Sequence, residues 1–312
     1  MYRIGVDLGG TNVAVGVVNG AHQILCAGAT PTEAARGPEG VLDDIARCIR
    51  DVLAAGRIHP EECLGVGIGS PGNCDAHSGV VRNAHNLGWN SVPVCQMLTE
   101  RIGLNAFLAN DGDCAALGEV KAGAARGASS ALLVTLGTGV GTGLIIDGHI
   151  FAGHRSLGGE FGHMKIQLDG EACTCGQRGC WEAYASATAL IRQATRAAQA
   201  HPESALNAAE KIDGKAVFTA LAAGDETARS VVARYAEYVG VGIVNLVNGL
   251  FPEAVLIGGG VSGAGEALLG PVREYVQQNL FVGDPALCPP IRAAALGNDA
   301  GIIGAAALVI ER

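Results

Sequence analysis

The sequence predicts an α/β protein built from two related halves, and three observations lead there. Short apolar runs alternate along the chain with amphipathic helical stretches. A Gly/Thr-rich pattern of strand, turn and hairpin occurs twice, at equal length. At 312 residues, 49% of them hydrophobic and 16% charged, the chain can bury two substantial cores.

The elements follow in order. YRIGV (2–6) and VAVGVV (13–18) are β-type runs, and the Asn19-Gly20 pair before HQILCAG signals a hairpin. From Gly40 to Ala55 the period becomes helical, with Val41, Leu42, Ile45, Ile49, Val52 and Leu53 on one face. LGVGIGSPG (64–72) is a buried strand running into a Gly/Pro loop, and NAFLAND (105–111) is a strand with polar residues at its carboxyl end. The opening pattern then returns: DLGGTNVAVGVVNG (7–20) lies over TLGTGVGTGLIIDG (135–148). Leu8-Gly9 falls on Leu136-Gly137, Val17-Val18 on Ile145-Ile146, and Asn19-Gly20 on Asp147-Gly148. Turn, register and hairpin end coincide together, which points to duplication. Helices are predicted from Glu182 to about Ala200, from Lys215 to Ala223 and from Glu226 to Phe251. The last carries Val231, Val232, Tyr235, Val239, Ile243, Leu246 and Val247 on one stripe. A strand, AVLIGGG (254–260), and a Gly/Ala-rich helix from Gly301 to Val309 complete the set.

Composition excludes several classes. The formal charge of −9 argues against a surface that neutralises nucleic-acid phosphates. The start, MYRIGVDLGG, does not resemble a signal peptide, and no apolar run is long enough to span a bilayer. Of the cysteines, Cys26, Cys48, Cys63, Cys74, Cys95, Cys114 and Cys288 are scattered singly, as buried thiols are, while Cys173, Cys175 and Cys180 cluster. A reducing cytoplasm and one metal site fit this layout.

The two Gly/Thr turns suit phosphate, because backbone N–H groups can converge there without side-chain obstruction. Thr11 and Thr138 each add a hydroxyl. Asp7 stands where the second copy has Thr135, and a carboxylate beside bound phosphates needs a hard cation between them; Mg²⁺ is the expected ion. The glycines at 258–260, after a strand, could let adenine or ribose approach the backbone, or could be a plain tight turn. In GEFGHMKIQLDGEACTCGQRGCWE (159–182), His163, Cys173, Cys175 and Cys180 offer one imidazole and three thiolates, a closed tetrahedral set for structural Zn²⁺. Such an ion would pin Glu160 and Glu182 to one loop, and the second imidazole nitrogen would donate to a sugar hydroxyl or to a backbone carbonyl.

DLGGTN (7–12), LGTGVGTG (136–143), GGEFGH (158–163) and CTCGQRGCWE (173–182) resemble the signatures of the ROK group (repressors, open reading frames, kinases) over nearly the whole chain. The resemblance implies a two-domain actin-like, hexokinase-like (ribonuclease H-like) ATPase fold, with residues 1–117 plus 297–312 as one domain and 118–296 as the other. It implies an ATP-dependent sugar kinase, similar in length and start to the bacterial glucokinases of that group. Asp111 becomes the catalytic base, where the residues alone leave a helix N-cap as an equal reading. Asn110, Asp111, Glu160, His163 and Glu182 are placed on the sugar. Asp7, Gly9, Gly10, Thr11, Asn12, Gly137, Thr138, Gly139, Gly141 and Gly259 are placed on ATP. A dimer or tetramer is implied as well. Glucose is the first expectation, with N-acetylmannosamine, N-acetylglucosamine and fructose behind it; SPGNCD (70–75) and RNAHNLGW (82–89) are the candidate discriminating segments. The group's repressors carry a DNA-binding helix-turn-helix ahead of the first motif, for which seven residues leave no room. A non-catalytic sugar binder is disfavoured by the intact Asp7, Thr11 and Asp111.

Overall fold

The computed structural model describes residues 1–309. The chain opens with β1 (Tyr2–Leu8), β2 (Asn12–Val18) and β3 (Ile24–Pro31), followed by α1 (Gly37–Gly56) and β4 (Cys63–Ser70). Three short strands follow, β5 (Asn73–Asp75), β6 (Val80–Ala84) and β7 (Trp89–Val92), then α2 (Val94–Ile102), β8 (Ala106–Asn110) and α3 (Asp111–Ala122). The second half begins with β9 (Ala131–Leu136), β10 (Val140–Ile146) and β11 (His149–Ile150). It continues through α4 (Glu182–Ala185), α5 (Ala187–Ala200), α6 (Gly214–Ala222) and α7 (Glu226–Leu250) to β12 (Ala254–Gly258), α8 (Glu266–Asn279), β13 (Ile291–Ala293) and α9 (Asp299–Ala307).

Two sheets share one strand order. The first runs β3-β2-β1-β4-β8 and the second β11-β10-β9-β12-β13, with β5-β6-β7 forming a small separate sheet. In the first, β1 pairs antiparallel with β2 and parallel with β4, and β4 pairs parallel with β8. Parallel neighbours need crossovers, and α1 and α2 lie on those connections. The apolar stripe expected on α1 is buried, from Val41 and Leu42 through Ile45 and Ile49 to Val52 and Leu53. It packs in one core with Ile4, Val6, Val13, Val15, Val66 and Ile68 of the sheet.

The chain divides into two compact units: Met1–Leu133 with Gly143–Gly159 and the segment from Ala294, and Val134–Thr142 with Glu160–Ala293. The expected break after residue 117 falls inside α3, whose hydrogen bonding runs unbroken to Ala122. Likewise the helix expected from Glu182 to about Ala200 is two helices. Ser186 leaves the helical region (φ −76°, ψ 163°) and caps α5 by accepting from the Ala189 N–H. The two hairpin ends also differ. Asp147 and Gly148 both take positive φ, the two-residue turn their pairing signals, whereas the Asn19-Gly20 bend widens to Gln23 with positive φ at His22.

The glycine excess has a concrete cause in the first unit. On Gly5 of β1 a Cβ would lie 1.9 Å from the Ile302 carbonyl oxygen, and on Gly67 of β4 1.7 Å from that of Ala305. Gly118 of α3 meets the Ala300 carbonyl in the same way, and Gly304 of α9 meets that of Cys114. Helix α9 therefore packs backbone to backbone against the sheet and against α3. That close approach fixes the ends of β1 and α3 relative to each other, and both carry site residues.

Candidate active site

In the first unit the site begins at the carboxyl ends of parallel strands, where open α/β sheets place their ligands. Asp7 is near the end of β1, paired with Ala14 on one side and Gly69 on the other. Helix α9 presses on its carboxylate: a Cβ on Gly301 would stand 2.6 Å from Asp7 Cγ. Burial, and secondarily the charge of Asp111, raise the Asp7 carboxyl from 3.8 to about 6. Asp111 opens α3. Its carboxyl is also pushed up by burial, against the opposing pull of N–H donors such as that of Gly112.

The cap of α3 is Asn110. Its Oδ1 accepts from the Gly112 N–H at 2.8 Å and the Asp113 N–H at 3.4 Å, and its Nδ2 donates to the Gly72 carbonyl at 3.1 Å. The capping role open to Asp111 in the sequence thus belongs to its neighbour, and Asp111 occupies the first helical turn, where a carboxylate favours the helix dipole.

The first glycine turn joins β1 to β2 through Gly9, Gly10 and Thr11 to Asn12, with the Gly9 N–H donating to the Asn12 carbonyl at 2.9 Å. The carbonyls of Gly9 and Thr11 are engaged by one residue. The fully buried Thr32 donates through Oγ1 to the Gly9 carbonyl at 2.7 Å and through its N–H to the Thr11 carbonyl at 3.0 Å. Gly10 faces Asn86, whose Nδ2 would lie 3.1 Å from a Cβ at that position.

The second turn, in the other unit, repeats this arrangement with different donors. The Ala187 N–H donates to the Gly137 carbonyl at 2.8 Å, and Thr188 Oγ1 to the Thr138 carbonyl at 2.9 Å. A Cβ on Gly139 would lie 2.2 Å from Glu182 Oε2, and one on Gly141 2.5 Å from Thr135 Oγ1. Gly259, at φ +81°, has no room for a side chain, since a Cβ there would lie 2.5 Å from the Leu136 carbonyl oxygen. Protein packing alone therefore accounts for that glycine. Asn86 falls in the 82–89 segment singled out in the sequence, whereas Thr32 and Thr188 carry no such signal, because a single buried or surface polar residue has no period or spacing that marks it.

The cysteine cluster closes within this second unit. The ligand atoms of His163, Cys173, Cys175 and Cys180 all lie within 4.8 Å of one another. Cys175 Sγ is 3.7 Å from Cys180 Sγ, and Cys173 Sγ is 3.7 Å from His163 Nδ1. Those separations match a tetrahedron of zinc–thiolate bonds, whose edge is about 3.8 Å. A disulfide would bring two sulfurs to about 2 Å, and all the cysteines named are free thiols. Lys165 Nζ donates to Cys180 Sγ at 3.2 Å, placing a cation beside the surplus thiolate charge such a set carries. The donors thus fit Zn²⁺. With Nδ1 turned to the cluster, Nε2 is the ring nitrogen of His163 on the far side. Glu160 precedes the short helical turn Phe161–His163 and is exposed; Glu182 begins α4, directly after the fully buried Trp181.

Each glycine turn has carbonyls engaged by the protein and an acidic side chain nearby, Asp7 at the first and Glu182 at the second. These turns and the two sheets of one strand order fit the α/β phosphotransferase class. The chain belongs to the ROK family, which it matches over residues 3–312, and is a sugar kinase closely related to bacterial glucokinases. It is 39% identical to a glucokinase from Halalkalibacterium halodurans over 100% of this chain and 96% of that one. Among solved structures, a ROK hexokinase from Thermus thermophilus is 37% identical with a TM-score of 0.83, covering 99% of this chain and 97% of that one. A ROK glucokinase from Streptomyces griseus, solved in complex with glucose and AMPPNP, is 35% identical with a TM-score of 0.81, covering 99% of each chain. The fold is thus the α/β ROK-kinase fold, like that of the actin and hexokinase superfamily. No helix among the described residues is long and apolar enough to cross a membrane.

The raised Asp7 pKa sets a pH dependence. A carboxyl raised from 3.8 to about 6 on folding holds its proton more tightly in the folded state. Its contribution to stability is therefore complete below pH 4 and lost as pH rises through 6. Asp7→Asn is expected to stabilise the ligand-free protein by about 2 kcal/mol at pH 7.5 and by clearly less at pH 5. Urea unfolding at the two pH values checks this; equal gains would show that Asp7 is not held in a desolvated, charge-penalised state.

Proposed function

We propose that this protein transfers the γ-phosphoryl group of ATP to the 6-hydroxyl of glucose, with Asp111 as the general base. The observation that carries the reading is the division of labour at the start of α3: Asn110 caps the helix, leaving Asp111 a half-buried carboxylate whose pKa desolvation raises. A base must be ionised at working pH yet basic enough to take a hydroxyl proton, and burial moves Asp111 toward that balance. Asp111 removes the proton as the sugar oxygen attacks the γ-phosphorus. The bond from the γ-phosphorus to its bridging oxygen breaks, and the electron pair leaves with ADP. Mg²⁺ bound with the nucleotide would neutralise charge on the β- and γ-phosphates, with Asp7 as its protein anchor, directly or through water.

On this reading Gly10, Thr11 and Asn12 in one unit, and Thr138, Gly139 and Gly141 in the other, present donors to the phosphates, while Gly9 and Gly137 shape the turns by donating to the Asn12 and Gly139 carbonyls. Their matched strand order supports descent of the two hairpins from a duplicated half. Gly259 would flank the nucleoside. Asn110, Glu160 and His163 through Nε2 would bind sugar hydroxyls, and Glu182 would accept one more through the lone pair its protein partners leave open. His163, Cys173, Cys175 and Cys180 would hold a structural Zn²⁺; with four protein ligands it has no open position for a reacting water. The free thiols agree with a cytoplasmic location.

A hexose panel tests the substrate. With saturating ATP·Mg²⁺ and ADP release followed by a coupled assay, kcat/KM for glucose is expected to exceed those for N-acetylmannosamine, N-acetylglucosamine and fructose by roughly tenfold or more. A higher value for any of the three reassigns the substrate, and no ADP release with any of them removes the kinase reading.

A further inference from the structure

The Glu182 carboxylate is already engaged on both oxygens inside the protein. Oε1 accepts from Thr174 Oγ1 at 2.8 Å and lies 3.5 Å from Cys173 Sγ. Oε2 accepts from the Val140 N–H at 3.1 Å and sits so close over Gly139 that a Cβ there would be 2.2 Å away. One side of this carboxylate therefore touches the loop that bears the cysteine cluster, and the other touches the second glycine turn. Thr174 lies between two cluster cysteines, so its hydroxyl is carried by the same loop that the cluster folds.

We propose that Glu182 is a strut between the cysteine loop and the second glycine turn, and that Thr174 is a positioning residue for the nucleotide through it. The physical reason lies in the freedom of the carboxylate. With only the Val140 N–H on Oε2, the group can rotate about its last torsion, a broad sp³–sp² rotor. The Thr174 hydroxyl on Oε1 fixes that rotation, so Oε2 stays aimed at Val140 while the amides of Gly139 and Val140 keep one orientation. The tie uses the loop's position and not its charge.

The inference rests on the reading of the second turn as a nucleotide site, and the test separates the two. Binding of ADP·Mg²⁺ to the full, metal-loaded chain without sugar is measured by calorimetry, alongside hydrogen exchange of the 134–144 segment and metal content. Thr174→Val keeps the side-chain shape and removes the hydroxyl; Thr174→Ser restores it. Thr174→Val is expected to weaken ADP·Mg²⁺ binding about fivefold, the scale of one lost hydrogen bond, and to speed exchange at the Val140 amide. Thr174→Ser should return both to within about twofold of the parent, and metal content should stay unchanged in both variants. The proposal is overturned by unchanged affinity and exchange in Thr174→Val. It is equally overturned by a Ser variant as weak as Val, or by metal loss in Thr174→Val, since Thr174 would then act on the cluster and not through Glu182. Absence of ADP·Mg²⁺ binding in the parent chain would overturn the nucleotide reading as well.

Discussion

Asp111→Asn is expected to lower kcat by roughly 10²- to 10⁴-fold, the range for losing a positioned general base, while glucose affinity changes by only a few-fold. Asparagine keeps the size of the side chain and an acceptor oxygen for a sugar hydroxyl, so binding survives while proton removal fails. The helix should remain intact because its cap, Asn110, is untouched. A second consequence follows from the charge coupling: Asp7 is raised partly by Asp111, so neutralising Asp111 should let the Asp7 pKa fall. The pH profile of kcat/KM for the parent protein should decline as pH drops through about 6, where Asp7 takes up its proton. In the variant the residual activity should hold to lower pH. Steady-state kinetics from pH 5 to 8 read both effects, and a variant retaining full turnover would remove Asp111 from the mechanism.

Loss of the metal should be nearly as severe. Cys180→Ser, or stripping the parent protein with a strong chelator, is expected to reduce kcat/KM by at least 100-fold. Glu182, the proposed sugar ligand, begins α4 two residues after Cys180, and Trp181 between them is fully buried with its Nε1 donating to the Tyr238 carbonyl at 2.7 Å. Releasing Cys180 therefore frees the chain on which Glu182 is mounted, and the isolated bridges Lys165–Cys180 and Ala172–Arg178 lose their brace. Apparent stability should fall by several degrees in Tm, since an ion bound only by the folded state contributes its binding energy to folding. Thiol titration offers the direct check. Three further cysteines should become reactive on metal removal, and hydrogen exchange should rise across 163–182 while β1, β4 and β8 stay protected. Unaltered kinetics in the stripped protein would show that the loop is held by packing alone.

Much of this molecule was legible before any coordinates. The helical period of α1 and α7 and the β-branched runs of β1 and β2 follow from side-chain sterics and apolar periodicity, which act within a few residues. The two glycine turns were visible because each sits at a fixed offset from a strand. The cysteine cluster was visible because three of its four donors and the glycines between them lie within eight residues of one another. Other elements lacked such a signal. Helix α8 carries Pro271 in its interior, and β13 is only three residues long. The small sheet β5-β6-β7 is made of strands too short to show an alternation. The break at Ser186 depends on a cap that competes with continued helix, and the sequence does not say which wins.

The sequence by itself determined the chemical inventory: which segments are strands, which turns lack side chains, and which donors can share a metal ion. Those properties are local, set by torsional preference and spacing along the chain. Only the tertiary structure decided how the inventory is used. It gave the cap of α3 to Asn110 rather than Asp111, pressed α9 onto Asp7, and pinned carbonyls of the turns with Thr32 and Thr188. Each of those outcomes depends on desolvation or a hydrogen bond between residues distant in sequence or competing for one partner, and such interactions exist only once the chain is packed.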